Sequence, residues 1–138
     1  MKIKTDFVTN SSSTCFVVMR KGYITMDEFI SAVGVDANSR FRDIYEELYN
    51  LCVNEMTTIE DAVMRHKWNK DGRSVESFVK ENFSAQTWDR IEKAKKAGFK
   101  VYMGSLHSDD TAVECYFCTH AFVIESDKFI IDATNAGW

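Results

Sequence analysis

The stretch SAQTWDRIEKAKKAGFKVYM, Ser84 to Met103, changes its period part-way along. Trp88, Ile91 and Ala94 recur at three-residue spacing behind Ser84, a residue type that caps helix N-termini. Gly98 stands where a helix closes in the left-handed conformation. Beyond it, Phe99 to Met103 carries the β-branched and aromatic character of a strand. Helices lie upstream of this switch and strands lie downstream.

Upstream, Thr25 and Glu28 form a capping box for a short helix over about 26–34, with Phe29, Ile30 and Val33 as its apolar stripe. The strongest helical pattern covers about 39–54, through Phe41, Ile44, Tyr45, Leu48, Leu51, Cys52 and Val53, with Ser39 as its cap. Thr57 or Thr58 starts another helix, and Ser74 caps one carrying Val75, Phe78 and Val79. The chain opens differently, because TCFVVMR (14–20) reads as a strand. Downstream of Gly98, residues 99–103, 113–118, 119–124 and 128–132 also read as strands. The expected fold is therefore one α+β domain over 1–138. It has an N-terminal strand, four to five helices, then a run of mostly antiparallel strands in one sheet with the helices on one face.

Composition bounds the function. The chain has 138 residues, 45% of them hydrophobic and 13% aromatic, which supports a packed core and argues against disorder. A net charge of −4 argues against a nucleic-acid binder that works by neutralising phosphates. No apolar run reaches the length of a membrane span, and MKIKTDFVTN lacks the apolar centre of a secretory signal. The expected location is cytoplasmic, with Cys15, Cys52, Cys115 and Cys118 reduced.

The opening MKIKTDFVTNSSSTCFVV combines Phe7, Val8, Thr9 and Asn10 with Ser11, Ser12, Ser13 and Phe16. It resembles the start of a group of uncharacterised bacterial and phage proteins. Gly104 to Asp110, followed by Glu114 to Cys118, is similar to a C-terminal segment of that group. The resemblance implies bacterial, phage or mobile-element provenance and carries no activity. The departure to Thr14-Cys15 means that a role for Cys15 is not implied by the group. Physically, Asn10 and the serines suit a turn held by side-chain bonds to the backbone, or a cradle for an anion.

The run from His120 to Asp132 resembles the His–strand–turn–strand–Asp segment of papain-like and transglutaminase-like cysteine enzymes. That resemblance implies His120 as a general base, Asp132 as its orienting partner and a distant thiol as nucleophile. Cys15 is the candidate thiol; Cys52 lies on an apolar helical stripe. A two-residue loop at Ser126-Asp127 pairs Phe122 with Ile131 and Ile124 with Phe129, and turns Asp132 away from His120.

Cys115, Cys118 and His120 are zinc-type ligands, yet alternation in a strand sends the two thiols to opposite faces. Zinc is therefore the alternative to no cofactor. His107, Asp109 and Asp110 form a polar loop suited to a divalent cation or to a solvated turn. Arg90, Lys93, Lys95, Lys96 and Lys100 make a local basic patch, and Trp138 is a candidate interface anchor. The function expected by elimination is a non-catalytic protein that binds or inhibits another protein, including a host or defence protein. The alternatives are a small Cys15–His120–Asp132 hydrolase or acyltransferase and a zinc-stabilised module.

Overall fold

Thr14 through Met19 are all buried, each at 4% exposure or less, so this strand is covered on both of its faces. The molecule, a computed structural model, is described over residues 13–54, 56–65, 72–107, 110–118 and 120–134. Along it run β1 (Ser13–Arg20), α1 (Met26–Ala32), α2 (Arg42–Val53), β2 (Thr57–Thr58) and α3 (Ile59–Arg65). They are followed by α4 (Val75–Asn82), α5 (Ala85–Lys96), β3 (Lys100–His107), α6 (Ala112–Cys118), β4 (Phe122–Glu125) and β5 (Phe129–Ala133). The strands form one sheet in the order β2-β3-β1-β5-β4, and every neighbouring pair is antiparallel. The α+β class expected from the sequence is the observed one.

The expected single helical face is not. Cys15, Val17 and Met19 pack with Ile59, Val63, Phe78, Val79 and Ile91 of α3, α4 and α5. Phe16 and Val18 pack on the other side with Phe29 and Ile30 of α1, Leu48 and Cys52 of α2, and Phe117 and Cys118 of α6. The cause is visible in TCFVVM itself, which has no polar alternation. A strand with apolar residues at both parities must be covered on both sides.

Local chemistry fixes most elements. Thr25 and Glu28 close the capping box of α1, Ser74 caps α4 and Ser84 caps α5. Gly98 ends α5 with φ 90°, in the region that disfavours a side chain. Ser39 accepts from the Phe41 N–H at 3.0 Å, two residues on, and α2 begins later than expected, at Arg42. Thr57 and Thr58 pair with Met103 and Tyr102 as a short edge strand before α3 starts.

The largest difference is α6, where the sequence reads as a strand. The Thr111 hydroxyl accepts the Glu114 N–H at 3.0 Å, and the Cys115 N–H reaches the Thr111 carbonyl at 2.9 Å. Glu114, Phe117 and Cys118 are its buried residues, which is helical spacing. In the β4–β5 hairpin the register is Ile124 opposite Ile131 and Phe122 opposite Ala133, two residues from the expected pairing. Because the shift is even, the same residues share a face.

At the start of α1, the Lys128 ammonium from the β4–β5 turn donates to Glu28 Oε1 at 2.6 Å, and the Thr25 N–H donates to Glu28 Oε2 at 3.0 Å. These bonds, Lys128 first, hold the Glu28 carboxyl below its ordinary range. A group whose pKa is depressed on folding contributes stability above its unfolded pKa and loses it as pH falls through the folded value. Glu28→Gln should therefore lower the urea midpoint at neutral pH and converge with the wild type in acid. A gap that stays constant with pH would remove the charge from this account.

Candidate functional site

Asp132 lies on β5 directly across from Val17, so its side chain belongs to the α5 face of the sheet. It is completely buried. Its Oδ2 accepts from Arg90 Nη1 at 2.8 Å and from Thr87 Oγ1 at 3.0 Å. Its Oδ1 accepts from the Thr134 N–H at 3.0 Å and the Thr134 hydroxyl at 2.5 Å. The carboxylate is filled by these donors. Arg90, expected to belong to a basic patch, is instead the counter-ion of a buried acid.

His120 follows α6, which packs on the opposite face. It is exposed, its Nδ1 lies 2.8 Å from the Tyr116 carbonyl, and its ring stacks on Tyr116 at 4.5 Å. Asp132 therefore does not orient His120, and the Cys15–His120–Asp132 arrangement is not assembled. The physical cause is strand parity: Val123 stands opposite Asp132, while Phe122 and Ile124 face the other core.

The zinc arrangement also changes, because Cys115 and Cys118 lie three residues apart on a helix rather than alternating on a strand. Cys118 is buried in the core and Cys115 is half-buried. Among the described residues no group of three His, Cys, Asp or Glu side chains is placed to hold a metal. Cys52 is enclosed by the α2 core, and burial pushes its thiol well up, which keeps it neutral and unreactive. Trp138 and Asp109 lie outside the described residues.

Two features do come together. The first is a cleft of about 310 Å³ where β1 begins and β3 ends, lined by Cys15, Thr57, Met103, Ser105, His107, Asp110 and Glu114. Cys15 stands directly opposite Ser105. Ser105 Oγ lies 3.2 Å from His107 Nε2, and the His107 N–H donates to Glu114 Oε2 at 2.8 Å. Cys15, His107 and Asp110, which the sequence distributes among separate chemistries, thus share one wall.

The second is an apolar groove of about 450 Å³ between the start of α2 and α6. Tyr45 meets Phe117 edge-on at 6.0 Å to form its floor. Phe41, Ile44 and Tyr116 rim it at 64%, 40% and 59% exposure.

No family model, curated protein or solved structure matches this chain.

The groove residues carry a signal in the sequence that is easily misread. The apolar pattern of α2 is wider than one buried face requires, since the core takes Leu48, Tyr49, Cys52 and Val53. Phe41 and Ile44 are the surplus at its N-terminal end, and Tyr116 joins them only because 112–118 is helical. No helix among the described residues is long and apolar enough to cross a membrane.

Proposed function

We propose that this chain is a binding protein that docks a short apolar segment of another protein in the groove between α2 and α6. The observation that carries the reading is the ring of three large exposed apolar side chains, Phe41, Ile44 and Tyr116, around the Tyr45–Phe117 floor. Aromatic side chains gathered at one depression are the usual anchors of protein interfaces, and an amphipathic segment presenting one apolar face fits such a groove. A net charge of −4 favours a protein segment over a polyanion as the partner. Inhibition is the form of this reading favoured by the bacterial and phage resemblance: occupying the groove would mask a surface of a host or defence protein.

A peptide-display selection against the wild-type protein tests it. Selected peptides should share closely spaced aromatic or large aliphatic residues. Their affinity should fall at least about tenfold in Phe41→Glu and in Tyr116→Glu, the scale on which an interface anchor is lost. Selected peptides that bind both variants as they bind the wild type would sink the proposal.

A further inference from the structure

We infer that the cleft where β1 begins and β3 ends is a nucleophilic thiol site, in which Cys15 takes an acyl group from a neutral or cationic donor and His107 acts as base through Ser105. The site is separate from the α2–α6 groove and does not depend on it.

Three observations place the reacting groups. Cys15 and Ser105 are direct cross-strand partners, and residues so paired project on one face with Cβ atoms about 4.5–5.5 Å apart. His107 is two residues beyond Ser105 on β3, so strand alternation returns it to the same face. Ser105 Oγ lies 3.2 Å from His107 Nε2, at the strand position that stands opposite Cys15. Glu114, at 5% exposure, holds the end of β3 by accepting the His107 N–H, so the histidine backbone is anchored from α6.

The lining decides the substrate class. Among the described residues, Asp110 and Glu114 are the carboxylates that line the cleft, and no lysine or arginine among them does. With Cys15 and His107 the two carboxylates are the titratable groups among the described lining residues. A carboxylate-lined recess repels anionic reagents and admits neutral or cationic ones. Leu51, Ala62 and Met103 supply an apolar wall for the body of the ligand.

The step balances without an oxidant or reductant. The Cys15 thiol proton passes to Ser105 Oγ as the serine hydroxyl proton passes to His107 Nε2. The Cys15 Sγ–carbon bond forms at the acyl carbonyl while the bond from that carbon to the leaving oxygen or sulfur breaks. The leaving group departs with the proton held on His107, and water releases the acyl group from sulfur in a second turn of the same relay.

The test uses p-nitrophenyl acetate, a neutral acyl donor, with each cysteine of the native protein read by mass spectrometry. Cys15 should be acylated, with Ser105→Ala and His107→Ala each slowing it about 100-fold, the scale of a lost proton-transfer partner. Added imidazole should restore the rate in His107→Ala, a rescue that a merely structural histidine would not show. His120→Ala should have no effect. Iodoacetamide should alkylate Cys15 faster than its anionic analogue iodoacetate by a wider margin than for cysteine in the urea-unfolded chain. Cys52 should stay unlabelled in every variant, which reports that the fold is intact. Acylation of Cys15 that is indifferent to both substitutions, or no acylation of Cys15 in native protein whose unfolded form reacts, would overturn the inference. Peptide affinity reports on the α2–α6 groove and Cys15 acylation on this cleft, so the two proposals fail independently.

Discussion

Arg90→Met should destabilise the protein by about 3 kcal/mol at neutral pH, the scale on which removing one member of a buried ion pair acts. Asp132 is wholly buried while the Arg90 side chain is 26% exposed, so the arginine lies between water and an enclosed carboxylate. In its absence Thr87 and Thr134 still donate, but no positive charge faces Asp132 among its described partners. The cost is the unbalanced charge rather than the lost contact, because methionine keeps much of the arginine's apolar stem. Asp132→Asn in the Arg90→Met background should recover part of the loss, since it removes the charge and keeps a polar partner for the threonines. Urea unfolding of the four proteins in the cycle measures the coupling. An Arg90→Met variant within about 0.5 kcal/mol of the wild type would mean that the arginine is a solvated surface charge.

Gly104→Ala should cost about 2–3 kcal/mol through overpacking. Gly104 stands directly opposite Phe16, whose ring lies over the glycine. A methyl group there would sit 2.5 Å from Phe16 Cζ and about 3 Å from the two Cε atoms, at 3.0 and 3.1 Å. Phe16 has no exposure, so its ring cannot swing into solvent to make room. The glycine is needed here for space, since its φ lies outside the left-handed region. Phe16→Leu alone leaves a cavity and is destabilising, yet combined with Gly104→Ala it should restore part of the stability, because the smaller side chain vacates the volume the methyl requires. A thermal unfolding series should show a non-additive pair. Additive losses would mean that the two residues do not compete for one volume.

The two predictions mark the limits of what was legible. Asp132 stands out in the sequence as an acid after an apolar pair, but nothing local reports its burial or its partner, because Arg90 is 42 residues away and reaches it only through the packing of α5 on β1 and β3. The sequence suits Asp132 to orienting His120, a role that requires both on one face. The candidate site shows the same pattern. Cys15, His107 and Asp110 each stand out by type, but the sequence pattern points Cys15 toward His120 and the other two toward a cation loop. The β1–β3 register is what sets Cys15 against Ser105, and no spacing within either segment reports it. The α2–α6 groove was hidden by one wrong period, since a strand over 113–118 would send Tyr116 away from α2.

The α+β class, the capped helices α1, α4 and α5, the switch to strands after Gly98 and the apolar character of β1 are all legible in the residues. These are local matters, decided by side chains bonding to nearby backbone and by periodicity within one element. Tertiary packing settles which helices cover which face of the sheet, that 112–118 is helical and that Asp132 belongs to Arg90. It alone brought Cys15, Ser105 and His107 to one cleft. Those outcomes depend on which strand lies beside which and in what register, and a shift of one residue would send every side chain to the opposite face.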